Sequence, residues 1–169
     1  MTISNSLLPI HIRPMTMDDL PAVIMLDQQS FSLPWPESSF KFEIESNPLA
    51  RCWVAEATRE ADAPLMVAMI VIWLIIDEAH VATIAVHPEF RRKGIARRLL
   101  AFALIDAYHA GMEKSFLEVR RGNDAAISMY QRFGYHEVGV RRKYYQDNGE
   151  DAVLMDLDPL DLERLIPLQ

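Results

Sequence analysis

Apolar positions in this chain fall into two periods, and each period marks its own kind of element. Ile10-His11-Ile12-Arg13-Pro14 alternates like a short first strand. A helix then starts at Thr16 or Asp18 and carries Leu20, Val23, Ile24 and Leu26 at helical spacing. Pro34 and Pro36 break the pattern, because each restricts its predecessor to extended backbone. A second helix is expected over Glu37–Ser46 and a strand over Cys52–Ala55. The polar segment Glu56–Pro64 reads as a hairpin turn into the long apolar run Met66–Ile76, a buried strand that ends at the turn Asp77-Glu78.

His80–Val86 is the next strand, and Ala96–His109 a third helix ending near Gly111. Ser115–Val119 is a strand with a carboxylate, Glu118, set among apolar neighbours. Asn123 or Asp124 caps a fourth helix that runs to Phe133 and closes at Gly134. Tyr135–Tyr145 and Ala152–Leu157 are expected to pair as a last hairpin about the turn Gln146-Asp147-Asn148-Gly149. From Pro159 the tail adds one or two helical turns. Strands interspersed with helices in the order β α α β β β α β α β β imply an α/β sheet covered on both faces.

Length and composition narrow the class. A chain of 169 residues builds one substantial core rather than two ordinary domains. The single cysteine, Cys52, excludes an intrachain disulfide and points to a reducing compartment. It reads as a small buried hydrophobe rather than a nucleophile. No zinc-type cluster and no Ser–His–Asp arrangement is present, and the five histidines are scattered. The apolar run Leu65–Ile76 is well short of the ~20 residues that span a bilayer. Met1–Ile10 lacks the basic and apolar regions of a secretory signal, so the expected location is the cytoplasm.

A net charge of −7 argues against general nucleic-acid binding. The average hides a split, since residues 91–143 hold 12 of the 17 basic residues and only 5 of the 24 acidic ones. The basic side chains gather in Arg91-Arg92-Lys93-Gly94-Ile95-Ala96-Arg97-Arg98, between a strand and a helix. A helix N-terminus presents free N–H groups and positive partial charge, so cations there are unfavourable unless an anion is bound. A phosphate-bearing ligand is one reading of the run, and a solvated basic face is the other. Similarly, Glu118 is either a proton acceptor or an outward glutamate on a half-exposed strand, and Tyr130 either a proton donor or a packing residue under the sheet.

Three spaced motifs settle the choice by resemblance. Arg91-x-x-Gly94-x-Ala96 follows a strand, Leu117-Glu118-Val119-Arg120 lies on the next, and Asn123-x-x-Ala126-x-x-x-Tyr130 on the following helix. Together they resemble the GCN5-related N-acetyltransferase (GNAT) superfamily. With Phe31-Ser32-x-Pro34-Trp35 and Tyr144-Tyr145…Glu150-Asp151-Ala152, the chain is similar to the ribosomal-protein-alanine N-acetyltransferase (RimI) family over nearly its whole length. The resemblance implies the GNAT acyl-CoA N-acyltransferase fold, a mixed and mostly antiparallel sheet of six to seven strands with about four helices, as one domain with its core at about residues 10–158. It implies transfer of acetyl from acetyl-CoA to a protein's α-amino group, a ribosomal protein being the expected partner, without metal, nucleic acid or membrane.

Residue by residue, the backbone of Ile84, Ala85 and Val86 would pair with the pantetheine arm as an added strand, and a strand N–H such as that of Val86 would face the developing oxyanion. Arg91, Arg92, Lys93, Gly94, Ile95, Ala96 and Arg97 would hold the pyrophosphate, with Gly94 allowing backbone to approach phosphate closely. Asn123 would bond the cofactor arm. Glu118 matches the family's proton acceptor, its apolar strand raising its basicity, and Tyr130 its proton donor. Leu33, Trp35, Tyr144 and Tyr145 would line the acceptor groove. Two departures stand out: Ala96 replaces the commoner second glycine, and Gly122 stands where the family often has serine before Asn123. A small-amine or lysine acetyltransferase, or a non-catalytic acyl-CoA sensor, are the alternative functions.

Overall fold

In the computed structural model, which describes residues 9–58 and 63–169, the long apolar run becomes the centre of a seven-stranded sheet. The strands are β1 (Ile10–Pro14), β2 (Ala50–Ala57), β3 (Leu65–Ile75), β4 (Glu78–Val86), β5 (Lys114–Arg120), β6 (His136–Arg141) and β7 (Ala152–Leu157). Their order is β1-β2-β3-β4-β5-β7-β6. All neighbours are antiparallel except β4 and β5. Val67–Ile72 are fully buried because β3 is covered on both faces, which is why its sequence does not alternate.

The helices are α1 (Leu20–Ser30), α2 (Glu37–Glu45), α3 (Ile95–His109), α4 (Asp124–Phe133) and the short α5 (Leu162–Leu165). One face of the sheet is covered by α1 and α2, with Leu20, Val23, Leu26 and Phe40 against Val54, Met69 and Val71. The other face packs Leu99, Leu100, Leu104 and Phe133 of α3 and α4, with Leu165 of α5, against Ile70, Leu117 and Met155. Each such side chain taken fully out of water contributes roughly 1.5–3 kcal/mol.

The parallel pair is clamped at one end and open at the other. Ser115 Oγ donates to Ala79 O at 2.6 Å and accepts from the Tyr135 hydroxyl at 2.6 Å, so these buried polar groups are satisfied. Pairing of β4 with β5 runs only from Glu78↔Lys114 to Val81↔Leu117. At that point β4 carries a bulge at Ala82, between the pairs Ile72↔Val81 and Val71↔Thr83. A bulge bends its strand and tightens the twist, so β4 leaves β5 while β5 continues along β7 to Arg120↔Ala152.

Several boundaries differ from the sequence expectations. Thr16 N–H bonds the Asp19 carboxylate at 2.8 Å, so the chain makes one tight turn, Met17–Asp19, before α1 begins. β2 continues to Ala57 beyond the expected Ala55; the rest of the expected turn includes residues 59–62, outside the described residues. The expected strand Tyr135–Tyr145 stops at Arg141, because Lys143 takes φ +52° and its N–H bonds Asp151 Oδ1 at 2.9 Å. The hairpin connection is therefore a loop from Arg142 to Asp151 that carries both tyrosines.

Candidate active site

Where β4 and β5 part, a cleft of about 1160 Å³ opens through the sheet. Val81–Val86 form one wall and Leu117–Arg120 the other. The basic loop and the first turn of α3 close one end, while Leu33, Trp35 and Tyr145 stand toward the other. Among the described residues, β4 has no strand partner on its β5 side beyond Val81. The expected residues Ile84, Ala85 and Val86 therefore present an open backbone edge of the kind an extended ligand pairs with.

The loop is shaped for an anion. Phe90 is buried and anchors it, while Arg91 Nε donates to Val86 O at 3.0 Å. Arg92 and Gly94 take left-handed backbone at φ +64° and +77°, which turns the chain sharply into α3. No described side chain caps α3, and its first turn carries no acid. Its first N–H groups thus face the cleft beside Arg91, Arg92 and Arg97. A Cβ on Gly94 would meet nothing nearer than Arg97 Nη2 at 3.7 Å, so the space over this backbone is free for a ligand. These features fit a diphosphate. Of the residues expected to hold the diphosphate, Lys93 is the exception: its Nζ lies 4.9 Å over the Phe90 ring and outside the cleft lining. Asn123 caps α4, its Oδ1 accepting from Ala126 N at 3.2 Å, and also lines the cleft.

Tyr130 lies buried on the α4 wall, edge-on to Tyr135 with ring centres 5.7 Å apart. Burial, then the neighbouring Tyr145, pushes its phenol well above the ordinary value, so it stays protonated. Burial likewise pushes Tyr145 up to about 12. Glu118 faces the cleft from β5, but not in the apolar surroundings expected of it. Arg141 Nη1 sits 2.5 Å from its Oε1. Tyr144, which leans on the same pair, is raised first by a hydrogen bond to Glu118, then by burial. Tyr144 does not line the cleft; its ring lies 5.6 Å beneath the Arg141 guanidinium. Cys52 is inert, its thiol pushed up to about 12 by burial and then by Glu43.

Three contributors were missed by the sequence reading. Asp27 on α1 is 1% exposed and accepts from Trp35 N at 2.7 Å, which fixes the turn that presents Trp35. A lone carboxylate on the apolar stripe of α1 was the available signal. Its Oδ1 has no described partner, and burial raises its pKa more than the Trp35 N–H lowers it. Arg120 ties three segments together: it bonds Asp147 at 2.9 Å, Glu150 and Ser32 at 3.2 Å, and stacks 3.8 Å over Tyr145. Ser32 in turn bonds Asp147, closing the α1–α2 turn onto the β6–β7 loop. Gly122 N donates to Glu150 Oε1 at 2.7 Å, and a Cβ there would lie 2.9 Å from that oxygen. The serine common at this place in the family would require the Glu150 carboxylate to shift. The third is Arg141, which enters the sequence reading only in the count of basic residues over 91–143.

The acetyltransferase (GNAT) family matches residues 20–135. The ribosomal protein bS18-alanine N-acetyltransferase of Escherichia coli strain K12 is 35% identical over 141 residues, 82% of this chain and 90% of its own length. Its counterpart in Salmonella typhimurium strain LT2 is 33% identical over the same shares. The crystal structure of the ribosomal-protein-S18-alanine N-acetyltransferase from Escherichia coli superposes with a TM-score of 0.78 at 31% identity, covering 89% of this chain and 94% of that one. An uncapped cationic helix start, an open strand edge and a carboxylate–tyrosine pair lie along one cleft, and the relatives carry the matching activity. The chain belongs to the GNAT acetyltransferase family, in its ribosomal-protein-alanine N-acetyltransferase branch, and is an acetyl-CoA-dependent N-acetyltransferase.

Proposed function

We propose that this chain acetylates the N-terminal α-amino group of a protein, an alanine at the start of a ribosomal protein, and works as one domain in the cytoplasm. The observation that carries the reading is the cleft between the splayed strands, with the cationic loop at one end and the Trp35 and Tyr145 loops toward the other. Two ligands can thus meet inside the sheet from opposite sides. The relatives named for alanine acetylation of ribosomal protein bS18 supply the acceptor class.

Acetyl-CoA supplies a thioester carbon open to attack by an amine. The residues of this chain bind and move protons. The β4 edge from Ile84 to Val86 holds the extended arm, and the α3 N-terminus with Arg91, Arg92 and Arg97 holds the diphosphate. Lys93 contributes its backbone N–H at most, since its side chain is turned to Phe90. Glu118 takes the proton that the amine gives up, directly or through water. Tyr130, kept protonated by burial, donates to the departing sulfur. The demand on Glu118 is mild for an α-amine, whose pKa of about 7.7–8.0 leaves roughly a tenth neutral at pH 7. A lysine amine near 10.4 is neutral only to about 0.04%.

Thiol release measured against a panel of N-terminal peptides tests the reading. Glu118→Gln and Tyr130→Phe are expected to lower turnover and leave CoA affinity nearly intact. A sensor without turnover would bind CoA, release no thiol with any peptide and be indifferent to Glu118→Gln. A small-amine enzyme would turn over polyamines and ignore peptides.

A further inference from the structure

The Glu118–Arg141 ion pair places a permanent cation where the acceptor amine must arrive. Arg141 stands opposite Ala152 on β7, which is itself opposite Arg120 on β5. Its side chain reaches back across β7, two strand spacings or about 9–10 Å, to meet Glu118 Oε1 at 2.5 Å. Only the methyl of Ala152 lies opposite on β7, so the long side chain has room to lie down. The Glu118 side chain is 14% exposed and that of Arg141 53%, so the carboxylate is the inner member and the guanidinium the outer. Tyr144 lies beside both, its ring under the Arg141 guanidinium at 5.6 Å.

The other charged groups near this spot are partnered among themselves. Arg120, next along the same face, is held between Asp147 and Glu150. His80 on β4 faces Glu118, Glu78 and Arg141, and burial lowers its pKa more than the two carboxylates raise it. Phe116 and Trp73 flank it edge to face. At the proton acceptor itself the charges of Glu118 and Arg141 sum to zero, while the Arg120 cluster with its two carboxylates leaves one negative charge further along the face.

We infer that Arg141 is a specificity-determining residue: by cancelling the Glu118 charge, it favours amines that enter neutral, such as a protein N-terminus, over permanently cationic ones such as lysine. A bare carboxylate in a half-buried groove attracts any ammonium, and the lysine ammonium is both the commoner and the more persistently charged. A guanidinium does not lose its proton in this pH range, so the preference holds throughout. The inference rests on the proposed α-amine activity and deepens it.

The test compares two peptides, one with a free N-terminal alanine and no lysine, the other N-terminally blocked with a single lysine. The readout is the ratio of kcat/KM values for the α-amine and the ε-amine, measured on the full chain. Arg141 lies on an exposed edge strand, so Arg141→Gln is expected to fold. In that variant the ratio should narrow by about fivefold, the upper end for a partly exposed ion pair, mainly through a lower KM for the lysine peptide. If the native enzyme shows no lysine turnover, its appearance in Arg141→Gln is the same result. Arg141→Lys keeps the charge and should keep the native ratio. An unchanged or wider ratio in Arg141→Gln overturns the inference, as does an Arg141→Lys variant that behaves like Arg141→Gln. A native enzyme without α-amine activity would instead sink the proposed function itself.

Discussion

Replacing Gly94 by alanine separates the two demands that the basic loop makes on this residue. Gly94 sits at φ +77° as the N-cap of α3. A side chain in left-handed backbone costs about 1–2 kcal/mol, offset in part because alanine also restricts the unfolded chain, by about 0.4–1 kcal/mol. The added methyl meets only Arg97 Nη2 at 3.7 Å and Nε at 4.0 Å, which are ordinary contacts, so no clash enlarges that cost. The net loss is about 1 kcal/mol, and for a chain of this size the melting temperature should fall by about 2–4 °C. The effect on the cofactor should be larger, because the methyl projects into the space where backbone N–H groups approach the diphosphate. A loss of about tenfold or more in acetyl-CoA affinity is expected, equivalent to about 1.4 kcal/mol. Calorimetric titration gives the affinity, and thermal unfolding with and without acetyl-CoA gives an independent check through the ligand-induced rise in melting temperature. If the melting temperature falls as stated but the affinity stays within twofold of native, Gly94 serves the turn alone and the cradle is misplaced.

Other perturbations reach different parts of the site. Arg120→Ala releases the bridge between Ser32, Asp147 and Glu150; the KM for the peptide should rise several-fold while that for acetyl-CoA holds, and equal changes in both would contradict the assignment. For Asp27, burial raises the folded-state pKa above the unfolded one, so its stability contribution is present below the unfolded carboxyl range and is lost as pH rises through the folded value. Asp27→Asn keeps an oxygen for the Trp35 N–H without the charge. The melting-temperature difference, variant minus native, should therefore grow between about pH 4 and pH 7, and a flat difference would show that the carboxylate is not strained. Cys52, with its thiol near 12, should resist alkylation in the folded enzyme at pH 8 and react once the chain is unfolded.

The readable parts of the sequence were those where a local rule and tertiary packing agree. The run at β3 is apolar without alternation because both faces are covered, and Asn123 and Gly134 mark α4 because each satisfies backbone groups that the helix leaves open. The basic loop stood out for a related reason: a cationic first turn conflicts with the helix dipole unless something negative is bound. What stayed hidden depended on side-chain direction and on contacts between distant segments. Lys93 sits in a run of cations, yet nothing local says that it turns back to Phe90. The end of β6 depends on Lys143 bonding Asp151, eight residues away, and that contact moves Tyr144 and Tyr145 from a strand into a loop. Glu118 looks apolar in its surroundings along β5, because the guanidinium that neutralises it arrives from two strands across the sheet.

The central claim, that an amine at a protein N-terminus receives acetyl inside this cleft, is tested most directly by fragment-ion mass spectrometry. The substrate is an alanine-initiated peptide that also contains lysine, incubated with acetyl-CoA and the native enzyme. The expected product carries a single acetyl group on the α-amine, formed with one equivalent of free CoA thiol and strongly reduced with Glu118→Gln. Acetyl found on lysine and never on the α-amine would contradict the account.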